Sequence, residues 1–334
     1  MKFKGILSYR KHSSWPSFDL VYEWEDYLSQ ALHIPIKHKS ADNYRLISIL
    51  IKYKLLPLYR TTKKWLLKYQ GYYLYFILGV SDGAAPIISR RKIIPVIVDF
   101  FVSPPYFSQF YENYKEYDLV LISDYDAYNQ LKKAKTPLNI AHFPLSLSDV
   151  YRLTPATRFE KKYKLLVAGR ENPLLVNYLN LYLSKYPDFE YVYRKMEDGK
   201  FFYVSNKTGL IGEFGTRNEF IQLIRASKCA VYSTPGIDGD EVRTKGFAPL
   251  TPRFLEFVAA KCFILARYLD NDDARYFDLK AITPSIESYE AFENTLNEYL
   301  KQPDTPSEYV SYLQKHYTSE RATLLKNILN NQSR

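Results

Sequence analysis

The residues best suited to chemistry lie around a single predicted helix start. Thr251-Pro252 begins this helix, because threonine accepts hydrogen bonds from the free amides of a first turn and proline fits the first helical position. Arg253 and Glu256 follow three residues apart, and therefore lie on one helical face. A helix N-terminus favours anions, and a diphosphate would suit this one. The preceding loop adds further charged residues: Asp238, Asp240, Glu241, Arg243 and Lys245.

Two buried strands are expected to position this helix and its loop. Cys229–Ser233 is a short apolar run that Thr234-Pro235-Gly236 ends, and Cys262–Leu265 is a second apolar run after the helix. The order strand, polar loop, helix and strand predicts a βαβ unit whose loop lies at the carboxyl edge of a parallel sheet, where ligands bind. An ordinary βαβ unit with a solvated acidic loop is the alternative interpretation.

The segment TPRFLEFVAAKCFILARYLDNDD, residues 251–273, resembles the donor-binding segment of GT-B glycosyltransferases of the group 1, family 4 type. In that family a glutamate near the helix start grips the ribose of a sugar nucleotide, and Glu256 is the matching residue. Retaining members usually carry another glutamate eight residues earlier, where this chain has Ala248. Glu241 or Asp240 from the longer loop could take its place. The resemblance implies an α/β fold of two Rossmann-like domains that face each other across a cleft (GT-B).

The resemblance also points to Gly169-Arg170, which follows the predicted strand Tyr163–Ala168. In the family a basic residue at this place meets the diphosphate of the donor, so Arg170 is a donor-binding candidate. The lysine that usually accompanies it is absent. The second positive charge is therefore expected from Arg243, Lys245 or Arg253.

A further donor contact is expected before the helix that Thr216 and Glu219 begin. Their spacing is that of a capping box. In the family the loop before this helix borders the nucleobase, which makes Glu213 and Phe214 candidate contacts. A simple turn before a capped helix is the alternative.

In the first half of the chain, His12 and Asp82 are candidate catalytic residues, together with Glu241 of the second half. His12 follows the predicted strand Phe3–Tyr9, in a loop that faces the cleft in the family and contacts the acceptor or a phosphate. Asp82 follows the predicted strand Tyr73–Gly79 and could act as a base. Solvation of the histidine and capping of a neighbouring turn by the aspartate are the alternatives.

Length and pattern together predict two domains, residues 1–150 for the acceptor and residues 151–334 for the sugar nucleotide. In both halves strands alternate with helices, which is typical of doubly wound parallel sheets. In GT-B folds the last helix often crosses back to the first domain. The two cysteines, Cys229 and Cys262, lie in apolar runs and predict reduced core residues of a cytoplasmic protein.

The net charge of +10 is concentrated in one segment. Lys37–Lys92 contains 12 Lys or Arg residues and two Asp residues, so it accounts for the whole excess. Within it, Asn43–Tyr69 has helical periodicity that Pro57 interrupts. Apolar residues beside lysines fit an interfacial helix at the inner face of the plasma membrane, and also a solvated helix over a core.

These features predict a glycosyltransferase whose partners are a nucleotide-sugar and a glycan or lipid-linked acceptor. No cofactor or metal is expected, since the five histidines are scattered and helix dipoles with basic side chains can stabilise a departing diphosphate. By resemblance the product is a bacterial surface glycan such as capsule or lipopolysaccharide O-antigen. A sugar-nucleotide epimerase of the same fold is one alternative. A basic nucleic-acid-binding protein is another, although the acidic loop would repel phosphate, and we expect no nucleic-acid partner.

Overall fold

The computed structural model describes residues 2–12, 16–38, 49–50, 52–67, 70–87, 89, 91–169, 171–213, 215–303 and 307–331. The chain forms two compact units: Met1–Pro144 with Thr318–Arg334, and Leu145–Tyr317. We expected a boundary at residue 150, whereas the structure divides the chain after Pro144 and returns it to the first unit at Thr318.

The first unit is built on a six-stranded sheet in which all neighbouring strands are parallel. Its strands are β1 (Phe3–Ser8), β2 (Ile36–His38), β3 (Tyr72–Ser81), β4 (Ile93–Phe101), β5 (Val120–Ile122) and β6 (Ile140–His142), in the order β2-β1-β3-β4-β5-β6. β4 is apolar at nearly every position, IIPVIVDFF, as expected for a parallel strand that is covered on both faces.

Helices connect consecutive strands of this sheet except β3 and β4, whose connection, residues 82–92, contains no helix among its described residues. They are α1 (Pro16–Leu32), α2 (Leu56–Leu66), α3 (Phe107–Tyr114) and α4 (Tyr125–Lys133). The predicted helix Tyr125–Lys133 is confirmed, and Asp124 caps it by accepting the amide of Ala127 at 2.9 Å.

The second unit contains a six-stranded mixed sheet with the order β10-β9-β8-β7-β11-β12. Its strands are β7 (Tyr163–Val167), β8 (Val192–Glu197), β9 (Lys200–Ser205), β10 (Gly209–Glu213), β11 (Ser227–Ser233) and β12 (Phe263–Arg267). β8, β9 and β10 form an antiparallel meander at one edge. β9 was not predicted from the sequence. The pair Asp198-Gly199 could have predicted the hairpin that begins it, because both residues have positive φ, 50° and 76°, as a tight hairpin turn requires.

The helices of the second unit are α5 (Pro173–Lys185), α6 (Arg217–Arg225), α7 (Glu241–Thr244), α8 (Pro252–Ala259), α9 (Asp272–Tyr276), α10 (Tyr289–Lys301) and α11 (Glu308–Gln314). Under one face of the sheet, α5 and α10 pack on a core that includes Leu165, Leu175, Cys229, Phe263 and Phe292. Both cysteines are reduced and fully buried, as the sequence predicts.

A last helix, α12 (Thr318–Asn331), belongs to the first unit and packs against α1. Ala322, Leu325 and Leu329 are buried at helical spacing. Arg321 is also buried, and its Nε donates to the carbonyl oxygen of Pro144 at 3.0 Å.

Both sheets reverse their strand order at one point. In the first unit β1 lies between β2 and β3, and in the second unit β7 lies between β8 and β11. Ligands of doubly wound sheets bind outside the carboxyl ends of the strands at such a switch point. The predicted α/β class with two Rossmann-like units is therefore confirmed, and the second switch point lies between Val167 and Ser233.

Candidate functional site

The carboxyl end of β7 meets the start of α8 at the second switch point. Gly169 has φ of 101°, a conformation that only glycine adopts readily, and a Cβ atom added to it would lie 4.0 Å from Nε of Arg253. The backbone after β7 therefore approaches the first turn of α8 closely. Arg170, which we predict to bind the donor, lies outside the described residues, so its role stays a prediction.

Glu256 is the central charged residue of this site. It lies in α8 with only 3% of its surface exposed. Arg217 Nη1 donates to Glu256 Oε1 at 2.7 Å, and Arg253 Nη1 lies 3.5 Å from Glu256 Oε2. The pair that the sequence places on one helical face is thus in contact, and Arg217 completes a group of three charged side chains.

The contact between Glu256 and Arg253 leaves hydrogen-bonding capacity at both side chains. Glu256 Oε2 and Arg253 Nη1 are buried and face each other at 3.5 Å, but among the described residues neither atom makes a hydrogen bond. A buried polar atom without a hydrogen bond typically costs about 1–3 kcal/mol, so this long ion pair leaves both side chains able to gain hydrogen bonds from a ligand. One of them accepts a hydrogen bond, and the other donates one.

The charge state of Glu256 follows from two opposing effects. Burial raises the pKa of Glu256, and the positive charges of Arg217 and Arg253 lower it. The two charges together outweigh the burial, so the pKa of Glu256 lies below its ordinary value. Burial also lowers the pKa of Arg253, and Glu256 opposes this effect. The Arg253 guanidinium lies 3.8 Å from the centroid of the Phe220 ring, a cation–π contact that fixes its orientation. Glu256 is therefore a carboxylate held between two guanidinium groups.

Arg217 was not predicted from the sequence to be a site residue. The predicted capping box of Thr216 and Glu219 is confirmed, and it begins α6 at Arg217. The capping box places Arg217 in the first turn, with its guanidinium 5.5 Å from the centroid of the Tyr151 ring. An arginine directly after a strong helix start was the available signal, but its partner lies 39 residues further along the chain.

The start of α8 is only partly as predicted. Thr251 is the N-cap residue and Pro252 follows in the first turn, but the Thr251 side chain makes no capping hydrogen bond. Instead, the amide of Thr251 donates to the hydroxyl of Tyr232 at 3.1 Å, and the Thr251 hydroxyl lies 3.4 Å from the same atom. The prediction that Thr251 caps the helix is wrong, because the neighbouring strand supplies a competing phenol. The start of α8 therefore has no side-chain cap, although the amide of Phe254 donates to the carbonyl oxygen of Thr251 at 3.1 Å.

The charged loop before α8 folds on itself. Arg243 donates twice to Asp240 at 2.6 Å, and the Gly236 amide donates to Asp240 at 2.9 Å. Glu241 accepts the amide of Gly239 at 3.0 Å. The predicted site residues Arg243 and Glu241 are thus held by bonds within the loop rather than by the group around Glu256.

Asp238 of the same loop joins it to the ends of three elements. Arg267 donates twice to Asp238 at 3.1 Å from the end of β12. Asn172, the cap of α5, donates to Asp238 at 2.8 Å and to Ser233 at 3.3 Å. These contacts hold the loop at the switch point.

Three other predicted residues lie apart from this group in sequence and in their bonding. Glu213 ends β10 and pairs with Lys200 at 3.2 Å. His12 is exposed in the turn after β1, with its ring centroid 5.3 Å from that of Tyr9. Asp82 accepts both the amide and the hydroxyl of Ser103, at 2.8 Å and 3.0 Å, which is the turn-capping role we considered as its alternative. Phe214 lies outside the described residues.

Across the described part of the chain, no group of three or more His, Cys, Asp or Glu residues is arranged to hold a metal ion. Nor does any helix in the same residues have the length and apolar character needed to cross a membrane.

No protein-family model and no curated protein sequence matches the chain. Among solved structures, it is similar to a GtfA/B complex, at 13% identity and a TM-score of 0.47 over 83% of this chain and 60% of that one. It is also similar to sucrose-phosphate synthase from Thermosynechococcus elongatus, at 10% identity and a TM-score of 0.49 over 89% and 82% of the two chains.

A third similar structure is the pneumococcal O-GlcNAc transferase GtfA in complex with UDP and GlcNAc, at 11% identity and a TM-score of 0.47 over 82% and 59% of the chains. The chain thus spans about 60% of the length of the GtfA/B and GtfA chains. The fold class given above rests on the two sheets themselves.

Proposed function

We propose that the chain is a glycosyltransferase that moves a sugar from a nucleotide-sugar donor to a glycan or lipid-linked acceptor. The observation that carries the proposal is the buried ion pair at the second switch point, in which Glu256 Oε2 and Arg253 Nη1 lie 3.5 Å apart and neither makes a hydrogen bond among the described residues. A sugar nucleotide offers both complements in one molecule. Its ribose hydroxyls donate to a carboxylate, and its diphosphate oxygens accept from a guanidinium.

The main requirement of the proposed reaction is that positive charge stabilises the negative charge of the leaving diphosphate. The bond from the anomeric carbon to the diphosphate oxygen breaks, and its electron pair leaves with the nucleoside diphosphate. The acceptor hydroxyl forms the new bond and loses its proton. Arg253 and the first-turn amides of α8 would stabilise the charge that develops on the departing oxygen, without a metal ion.

In this proposal Glu256 holds the ribose, and Arg217 keeps Glu256 ionised and oriented. Arg170, Arg243 and Glu213 remain proposed donor contacts. The group that takes the acceptor proton is proposed from His12, Asp82 and Glu241. From the two reduced cysteines we propose that the reaction takes place in the cytoplasm, and from the resemblance noted above that it serves the synthesis of a bacterial surface polysaccharide.

The test begins with a thermal-shift panel of nucleoside diphosphates, since a ligand that binds only the folded state raises its melting temperature. With the best ligand, we expect Glu256→Gln to weaken binding by about 1.5–3 kcal/mol, the usual range for hydrogen bonds to a charged group. Arg253→Ala should lower turnover more than affinity, because the charge on the leaving group is greatest in the transition state.

Matched controls come from the same unit. Glu293 on α10 pairs with Lys185 at 2.6 Å, and Arg275 on α9 pairs with Asp272 at 2.7 Å. Glu293→Gln and Arg275→Ala should therefore leave binding and turnover unchanged. If both site variants bind nucleoside diphosphate and turn over as the parent does, the donor site lies elsewhere. An isomerised sugar formed from donor alone would instead identify an epimerase.

A further inference from the structure

A stretch of the first unit, residues 49–66, exposes large apolar side chains to solvent. Six of them have between 43% and 75% of their surface exposed. We call them the apolar patch: Ile49, Tyr53, Leu55, Leu58, Trp65 and Leu66. Single exposed apolar residues are ordinary on a protein surface, whereas several in one short stretch indicate an interaction site.

Helix α2 turns its apolar face outward. Leu58 and Trp65 are seven residues apart, so they lie on one face, and Leu66 lies beside Trp65. Leu67, directly after the end of the helix, is buried. A helix that merely covers a core has the reverse arrangement, with its apolar face inward. Of the two interpretations of this segment that the sequence allows, the exposure of Trp65 and Leu58 favours the interfacial one.

The surroundings of the apolar patch are basic. Lys52 and Lys54 are exposed within the same stretch. The wider segment Lys37–Lys92 carries 12 Lys or Arg and two Asp residues. A partner must therefore offer an apolar interior together with negative charge at its surface.

We propose that the apolar patch docks on an anionic lipid bilayer, with Trp65, Leu66 and Leu58 entering the interface and the exposed Lys52 and Lys54 meeting lipid phosphates. Tryptophan is typical of membrane interfaces, and each basic residue near an anionic leaflet adds to binding. A second copy of the chain would bring another +10 charge against the first and be repelled. Nucleic acid would match the charge but would leave the apolar side chains without a role. This inference does not depend on the proposed glycosyl transfer.

The test is sedimentation of the full chain with vesicles of phosphatidylcholine alone or enriched in phosphatidylglycerol. We expect retention on the anionic vesicles at low salt, and weaker retention as salt rises. The double variant Trp65→Ser/Leu66→Ser should weaken retention about tenfold or more, because two apolar side chains no longer enter the interface. The matched control Met196→Ser/Leu210→Ser removes two equally exposed apolar residues of the second unit and should bind as the parent does.

A spectroscopic readout reports on the patch itself. Of the three tryptophans, Trp24 is buried, Trp15 lies outside the described residues, and Trp65 is 75% exposed. Anionic vesicles should shift the parent emission to shorter wavelength, and Trp65→Phe should abolish this shift while retaining the protein on the vesicles.

Three results would overturn the proposal. The first is no retention on anionic vesicles, and the second is retention that the double variant leaves unchanged. The third is a dimer in light scattering that the double variant dissociates, since a second copy would then cover the patch.

Discussion

The two buried glutamates, Glu256 and Glu25, show how neighbouring charges determine a protonation state. Glu256 faces two arginines, and its pKa lies below the ordinary value. Glu25 of α1 has one arginine, Arg10, with Nη2 at 3.1 Å, and the same nitrogen also pairs with Asp26 at 2.8 Å. Burial therefore prevails over the bonds from Ser8 and Arg10, and it raises the pKa of Glu25 to about 7.

This pKa predicts a pH-dependent stability of the first unit. Below the pKa of Glu25 in the unfolded chain, Glu25 is protonated in both the folded and the unfolded state, and its contribution to stability is fully present. Between that value and about pH 7 only the folded state keeps the proton, so stability falls as pH rises. Between pH 5 and pH 8, we expect the free energy of unfolding of the parent to fall by roughly 2 kcal/mol more than that of Glu25→Gln.

Urea unfolding at both pH values, followed by tryptophan fluorescence, measures this difference. Trp24, one residue from Glu25, is buried in the same helix and reports on this unit. Asp26→Asn is the matched control, since Asp26 shares Arg10 but is half exposed. Parallel pH profiles for the parent and Glu25→Gln would contradict the assignment.

At the scale of single residues, local relations were predictable from sequence and tertiary ones were not. The spacing of Arg253 and Glu256 places them together because helical geometry alone decides it. Arg217 joins them only through the packing of α6 beside α8, which no local pattern encodes. Thr251 shows the same limit, since the hydroxyl of Tyr232, which lies on β11, displaces the expected cap.

Among the elements, the loop that leads from β11 into α8 depends on one glycine. Gly236 has φ of 75°, and a Cβ atom there would lie 2.0 Å from the carbonyl oxygen of Phe247 and 2.3 Å from Oγ1 of Thr244. The two ends of the loop therefore meet at a point with no space for a side chain. Gly239 in the same loop also has positive φ, 105°, but its Cβ would meet nothing within 4 Å.

This contrast makes a matched pair of variants. Both Gly236→Ala and Gly239→Ala strain the backbone, by about 1 kcal/mol, whereas only Gly236→Ala also forces atoms apart. We expect Gly236→Ala to destabilise the second unit by at least about 2 kcal/mol more than Gly239→Ala, and to weaken nucleoside diphosphate binding. Denaturant unfolding followed by far-ultraviolet circular dichroism measures the difference. Equal stability of the two variants would show that the loop opens without cost.

The elements themselves were largely predictable, because strands and helices of a doubly wound sheet carry strong patterns. The helix Tyr125–Lys133 and the capping box of α6 were found from sequence. The meander of β8, β9 and β10 was not, because an Asp-Gly turn joins β8 directly to β9 where the pattern of alternating strands and helices predicts a helix. An edge hairpin breaks the alternation on which the prediction relied.

At the scale of the whole molecule, removal of helix α12 should lower the stability of the first unit and leave that of the second unit unchanged. Ending the chain after Tyr317 removes the buried side chains Ala322, Leu325 and Leu329 from the surface of α1. We expect the first unit to lose several kcal/mol, since each buried leucine contributes about 1.5–3 kcal/mol. Nucleoside diphosphate binding by the second unit should remain.

Fluorescence is a selective reporter for this experiment, because all three tryptophans, Trp15, Trp24 and Trp65, belong to the first unit. The fluorescence transition should move to lower temperature in the truncated chain. A chain that ends after Asn331 is the control and should unfold as the parent does. An unchanged fluorescence transition after removal of α12 would mean that the first unit folds without it.

The return of the chain at Thr318 has a consequence for the order of synthesis. A ribosome makes all of residues 145–317 before it makes α12, although α12 completes the unit to which residues 1–144 belong. The second unit can therefore fold as soon as it emerges, whereas the face of α1 on which α12 packs stays uncovered until α12 is made. Synthesis of the first unit thus begins before that of the second unit and is completed after it. Its uncovered apolar surface is the kind of surface to which chaperones bind.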